Sequence, residues 1–233
     1  ALGGSVDGAL SEYYVTPENS VVRIPDAYSF VEASTLPCAG LTAWAALFER
    51  GGFTTGESVL LQGTGGVSIW GLQMVVAAGG KAIITSSSDE KLARAKALGA
   101  SETINYKTNQ DWEKVVWELT GKEGVDHVLE VGGPGTLGKS LQSVAAGGHV
   151  AQIGVLTGFD PAPTSVFPLT TKNATMTGIY VGSSAYFERF VRFLNVNRIA
   201  PIIDRVFPFE ESQAAYQTMK SGSHFGKIVI SFE

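Results

Sequence analysis

The sequence predicts an α/β fold built on a parallel sheet. Short apolar runs alternate with helical stripes from residue 59 to residue 180, glycines close the units, and a glycine-rich turn joins the first run to the first stripe. Val59-Leu60-Leu61-Gln62 is the first strand. Val67, Trp70, Gly71, Met74, Val75 and Ala78 then recur at helical spacing, and Gly79-Gly80 ends that helix. Lys81 to Thr85 is the second strand. Ser87 to Leu98 reads as a helix opened by a Ser87/Glu90 capping box and stopped by Gly99. Thr103 to Tyr106 is a third strand, Asp111 to Leu119 a helix, Val125 to Val131 a fourth strand, Leu137 to Ala145 a helix and His149 to Val155 a fifth strand. Ala174 to Tyr180 is the sixth. Strands alternating with helices imply right-handed crossovers and a parallel sheet.

The ends read differently. Residues 11 to 24 form two β-like pieces around Thr16-Pro17-Glu18-Asn19. A Ser29/Glu32 capping box opens a short helix that Pro37 disturbs, and Leu41, Trp44, Ala45 and Phe48 carry a helix to Gly51-Gly52. Phe187, Phe190, Val191 and Leu194 mark an amphipathic helix. A last helix runs from about Glu210 to Lys220, and Lys227 to Ile230 is a closing strand.

Composition narrows the function. At 44% apolar and 17% charged over 233 residues, the chain has enough apolar material for a core and too little charge for disorder. A net charge of −5 gives no basic field for nucleic acid or an anionic membrane, so neither is an expected partner. No apolar run reaches the ~20 residues that span a bilayer, and the first eight residues lack the basic and apolar regions of a signal peptide, so a cytoplasmic setting is expected. One cysteine excludes an intramolecular disulfide and a zinc site built from several thiolates.

Gly63-Thr64-Gly65-Gly66-Val67-Ser68 lies between a strand and a helix, the context in which G-x-G-x-x-G carries meaning. The first glycine permits the turn, the second lets a pyrophosphate approach the backbone, and the third position holds a small residue, here Ser68. The helix N-terminus offers N–H groups and partial positive charge to the phosphates. A tight turn that binds nothing is the bland alternative. At the end of the second strand an NAD site wants an acidic residue; the sequence has Thr85-Ser86-Ser87-Ser88, with Lys91 one turn on. Hydroxyls and a lysine attract a 2′-phosphate, which favours NADP over NAD. Asp89 and Glu90 lie past the cap and complement the helix dipole.

An ordered set of segments then carries a family resemblance: Leu36 to Trp44, Gly56 to Val67, Asp89-Glu90-Lys91-Leu92 with Ala97-Leu98-Gly99-Ala100, Ile104-Asn105-Tyr106, and Gly226-Lys227-Ile228-Val229. The chain resembles the medium-chain dehydrogenase/reductase superfamily, in particular its zinc-type alcohol dehydrogenase and quinone oxidoreductase-like branches. The resemblance implies a six-stranded parallel Rossmann domain at 39–178, flanked by remnants of a GroES-like β lobe at 1–38 and a C-terminal return at 179–233. It also implies that most of that lobe lies ahead of Ala1, truncated or lost. It places Thr42 beside the nicotinamide, Gly132, Gly154 and Val155 along the nicotinamide half, Ile179 and Tyr180 beside the carboxamide, and Lys91 and Tyr106 beside the adenosine 2′-phosphate. Tyr106 reads equally as a partly buried strand residue. Relatives dimerise edge to edge through the sixth strand, so a homodimer is expected.

Cys38 falls where zinc-dependent relatives place a thiolate ligand. His127, His149 and His224 lack ligand spacing, so no zinc is expected and Cys38 reads as a small buried residue. Glu130, a carboxylate at a strand end, reads as a satisfied edge residue in preference to a functional group, and Tyr13 and Tyr14 read as packing residues or substrate contacts at the border of the lobe. No residue is assigned a catalytic role. The expected function is NADP(H)-dependent, zinc-independent hydride transfer to or from a small-molecule carbonyl, alcohol, enone or quinone. The alternative is a nucleotide-binding module without net redox activity.

Overall fold

The computed structural model describes residue 3 and residues 6–160 and 164–232; Ala1, Leu2, Gly4 and Ser5 of the expected 1–38 segment lie outside the described residues. In chain order the elements are α1 (Phe30–Ala33), α2 (Leu41–Trp44), β1 (Ser58–Leu61), α3 (Gly66–Ala77), β2 (Lys81–Ser86), α4 (Asp89–Ala97), β3 (Glu102–Asn105), α5 (Trp112–Leu119), β4 (Val125–Glu130), α6 (Leu137–Ser143), β5 (Val144–Gln152), α7 (Phe167–Lys172), β6 (Thr175–Gly178), α8 (Ser184–Asn197), β7 (Ile203–Pro208), α9 (Ser212–Ser221) and β8 (Lys227–Ser231). Six strands form a parallel sheet in the order β3-β2-β1-β4-β5-β6. The order reverses between β1 and β4, where an open α/β sheet leaves its crevice.

Alternation along the strands sorts the core into two layers. Val59, Leu61, Ile84, Leu129 and Ala151 face α2, α3, α4 and α8, where Trp70, Met74, Leu92 and Phe190 are buried. Leu60, Ile83, Val128 and Val150 face Trp112, Val116 and Leu141 of α5 and α6. Trp44 stacks on Phe48 and Phe190 and donates its indole N–H to Glu49, which also takes two bonds from Arg189 of α8. A cluster of aromatic rings and one ion pair thus fastens α8 to the chain before β1.

Several boundaries differ from expectation. The helix before β1 is interrupted: π-helical turns at Leu36–Gly40 and Ala45–Arg50 flank α2, the first at Pro37, whose ring removes a backbone donor. β5 begins at Val144 and ends at Gln152, so Gly154 and Val155 lie in the loop beyond it. Residues 11–24 contain a 3₁₀ turn at Glu18–Ser20 and no strand; Tyr13 and Val15 are fully exposed, and β-forming side chains without a partner strand do not hold a ladder. β7 was not expected. It pairs in parallel with β8, and Gly226, just before β8, bridges to Gly65. This small sheet brings the C-terminal chain onto the glycine-rich turn. No helix of the described residues is long and apolar enough to cross a membrane.

Candidate functional site

The turn after β1 leaves room where side chains would stand. Gly63 has φ +70°, a left-handed conformation costly for any residue with a Cβ. A Cβ at Gly63 or Gly65 would meet nothing within 4 Å. Gly66 is different, for a methyl there would press on the Lys227 side chain at 2.6 Å and on Ala39 at 3.1 Å. Gly65 caps α3 without a side-chain bond, so the first N–H groups of that helix face this space without intrahelical partners. Ser68 is the small third residue and more: its hydroxyl donates to the Gln62 carbonyl at 2.6 Å, tying the helix to the strand end. Gly71 then lets α3 lie against Leu61 and Leu129.

A groove of about 550 Å³ runs from this turn. It brings together Gly63, Thr64, Gly65, Gly66, Val67, Ser86, Ser87, Lys91, Tyr106 and Gly154 of the expected residues. A smaller cavity of about 250 Å³ adjoins it and adds Thr85 and Gly132. The remaining expected residues do not line either. Ser88 is the N-cap of α4, accepting from the Lys91 N–H at 3.4 Å. The cap is therefore Ser88 and not the Ser87/Glu90 box, which leaves Ser87 on the groove wall. Thr42 is buried in α2, and Ile179 is buried with its N–H on the Gln152 carbonyl. Val155 and Tyr180 are exposed, the latter at 83%. Val181, directly after Tyr180, has φ +57°, an outlying conformation for a β-branched residue.

The end of the groove between β2 and α4 is held by long-range contacts. Thr85 Oγ1 accepts from the Gly63 N–H at 3.2 Å, pinning the turn to β2. Asp89 accepts from Asn105 Nδ2 at 2.7 Å, which ties the first acid of α4 to β3. Tyr106 lies one residue past β3 and 41% exposed, on the groove rather than in the sheet. Lys91 Nζ donates to the Gly222 carbonyl at 2.7 Å, and burial lowers its pKa, followed by the charge of Arg94 and opposed by Asp204 and Glu90. Lys220, Gly222 and His224 complete the wall. The lining thus carries two lysines and a histidine and no carboxylate.

Sequence reasoning missed the polar core behind the groove. Glu130 is fully buried at the end of β4, a central strand between β1 and β5 and not an edge. Its Oε1 accepts from the Gly132 and Gly133 N–H groups, each at 2.8 Å, and from Thr136 Oγ1 at 2.6 Å. Its Oε2 accepts from Gln62 Nε2 at 2.8 Å and from the Ser140 hydroxyl. Gln62 in turn accepts from the Val131 and Gly132 N–H groups at 3.2 Å. Five donors fix the loop that lines both cavities. The signal available in the sequence was an acid closing an apolar strand.

Among the described residues, no group of three or more His, Cys, Asp and Glu side chains stands together as a metal site. Cys38 is exposed, contrary to the expected buried residue. His127 bonds Glu57 and His149 bonds Thr177.

The fold defines a doubly wound α/β protein with an open crevice at its switch point. Residues 66–195 match the zinc-binding dehydrogenase family. Over its whole length the chain is 42% identical to 69% of a zinc-type alcohol dehydrogenase-like protein of Schizosaccharomyces pombe. It is 34% identical, over 96% of its length, to 64% of a second such protein from Leptosphaeria maculans. The chain thus spans about two thirds of the relatives it matches. A crystal structure of an NAD-dependent alcohol dehydrogenase superposes on 97% of the chain with TM-score 0.88 and 30% identity, using 66% of that structure. Quinone oxidoreductase from Thermus thermophilus, solved also with NADPH, superposes on 97% with TM-score 0.82 and 30% identity, using 74% of that structure. The chain belongs to the medium-chain dehydrogenase/reductase superfamily of oxidoreductases, and its six-stranded sheet is the Rossmann domain of that superfamily.

Proposed function

We propose that the protein is an NADP(H)-dependent oxidoreductase that moves a hydride to or from a carbonyl, alcohol, enone or quinone without zinc. The observation that carries the cofactor choice is the lining of the adenosine end: Ser86, Ser87, Lys91, Lys220 and His224, with no Asp or Glu to accept from a 2′-hydroxyl. The empty space beside Gly63 and Gly65 fits a diphosphate against the start of α3. A bound nicotinamide supplies the hydride. The chain's own residues hold it: the turn at residues 63–67 takes the diphosphate, Ser87 and Lys91 take the 2′-phosphate, and the Glu130 network keeps the Val131–Gly133 backbone in place along the dinucleotide. Thr42, Val155, Ile179 and Tyr180 belong to the nicotinamide half in this reading.

The same reading divides the chain into a segment of the substrate lobe at 1–38, the cofactor domain at 39–178 and a return segment at 179–233. It pairs two copies along β6, the terminal strand of the sheet, and places the protein in the cytoplasm. Sedimentation as a monomer removes the dimer.

Fluorescence titration with NADPH and NADH tests the cofactor, and loss of nicotinamide absorbance with a panel of carbonyl and enone acceptors tests the reaction. NADPH binds at least about tenfold more tightly than NADH, and Ser87→Asp reverses that order by setting a carboxylate against the phosphate. Equal affinity for the two nucleotides defeats the NADP assignment. Saturable binding without oxidation of any acceptor leaves a nucleotide-binding module.

A further inference from the structure

The groove wall contributed by the C-terminal chain adds positive and titratable groups to the cofactor groove, and one of them is left without a partner. Residues 222–225 are clamped onto α4 at two points: Lys91 Nζ on the Gly222 carbonyl at 2.7 Å, and the Arg94 guanidinium 4.2 Å from the centre of the Phe225 ring. Arg94 is itself paired with Asp204 of β7 at 3.4 Å. His224 lies between the two clamps. It lines the groove, and its Nδ1 is buried with no hydrogen-bond partner. A buried imidazole nitrogen left without a partner is costly unless something else supplies one. On the same wall stand Lys91 and Ser87, so the missing partner is anionic or an acceptor.

We propose that His224 is a specificity-determining residue: it binds the 2′-phosphate of NADP(H) as an imidazolium, alongside Lys91, and finds nothing to bind in NAD(H). This rests on the reading of the groove as an NADP(H) site. The charged and titratable groups around His224 are Glu90, Lys91 and Arg94 of α4, Asp204 of β7, Lys220 of α9, Lys227 of β8 and Tyr106 beyond β3. Burial first, and then Lys91, with a smaller part from Lys227, lower its pKa, against which Asp204 acts. Without a ligand the ring is therefore held neutral near pH 7. A phosphate dianion reverses that balance, so the nucleotide binds together with a proton.

The test is the affinity of the intact protein for NADPH and NADH between pH 6.5 and 8, by fluorescence titration. NADPH affinity rises roughly fivefold as pH falls across that range, above the pH near 6 where the phosphate itself takes a proton, while NADH affinity stays flat. His224→Asn abolishes the slope, costs about tenfold in NADPH affinity at pH 6.5 and leaves NADH unchanged. His224→Lys, with a permanent charge, binds NADPH tightly at both ends of the range. If His224→Asn keeps the wild-type slope and affinity, the proposal is wrong while the cofactor reading stands. If both variants lose NADPH and NADH equally, His224 only shapes the segment and the proposal is wrong. If the wild-type protein binds neither nucleotide, the cofactor reading has failed first.

Discussion

The two faces of the central sheet bury ionisable groups in opposite ways. Glu130 and Gln62 point to the α5–α6 side, where five donors converge on one carboxylate. His127 and His149, in register on β4 and β5, point to the other side among Phe53 and the turns before β1. There each ring has one bonded nitrogen and one buried Nδ1 with no partner. On the first face every acceptor of the buried carboxylate is met; on the second, half of each ring's hydrogen-bonding capacity is left unmet. The saturated face is the one that shapes the crevice.

Removing Glu130 tests the first half of that contrast most severely. Glu130→Ala strips five donors of their acceptor, two of them backbone N–H groups, and lowers stability by about 3–4 kcal/mol in chemical denaturation. Glu130→Gln keeps the shape but sets an amide N–H₂ against donors on one side, and costs about 1–2 kcal/mol. A Glu130→Gln protein as unstable as Glu130→Ala shows that charge rather than acceptor count holds the loop. Gly132→Ala strikes the same network from above: a Cβ there overlaps Thr136 Oγ1, one of the five donors. Its expected cost is about 1–3 kcal/mol, and a neutral result means that the loop has room to shift.

The second half of the contrast is a matter of pH. Burial, then the charges of His127 and Arg50, bring the His149 pKa down from 6.5 to about 4. The unfolded chain binds a proton at pH 6.5 that the folded chain refuses until about 4, so stability falls as pH drops through that window and is unaffected by this residue above it. His149→Leu flattens that part of the stability–pH curve by up to one proton. An unchanged slope places the acid sensitivity elsewhere.

Much of this was legible locally and little of it at a distance. The apolar runs of β1 and β2 were read within a residue or two because burial on both faces leaves no polar interruption between Val59 and Leu61 or between Ala82 and Ile84. β7 escaped because Asp204 and Arg205 interrupt its apolar pattern and its partner β8 lies some twenty residues on. The opposite error fell on residues 11–24, where β-forming side chains have no partner strand. Around the groove, the glycine turn and the hydroxyls after β2 announced themselves. The clamp from Lys91 to Gly222 spans 131 residues, and the bond from Gln62 to Glu130 spans 68, so neither leaves a periodic trace. Even the cap was displaced by one residue, since Ser87 and Ser88 each offer a hydroxyl three residues before an available N–H.

The smallest expected change in stability carries the sharpest functional reading. At Gly65 the backbone has φ −81° and ψ −175°, which any residue adopts, and an added methyl touches nothing. Gly65→Ala therefore folds with a stability within about 0.5 kcal/mol of the parent. The methyl instead occupies the space that a diphosphate needs against the first N–H groups of α3, so nucleotide affinity falls by about tenfold or more while the denaturation midpoint holds. Gly63→Ala is the control, because its left-handed φ adds roughly 1–2 kcal/mol of strain and both readouts move together. A Gly65→Ala protein that binds as tightly as the parent takes the diphosphate away from this turn, and with it the reason the sheet leaves its crevice open between β1 and β4.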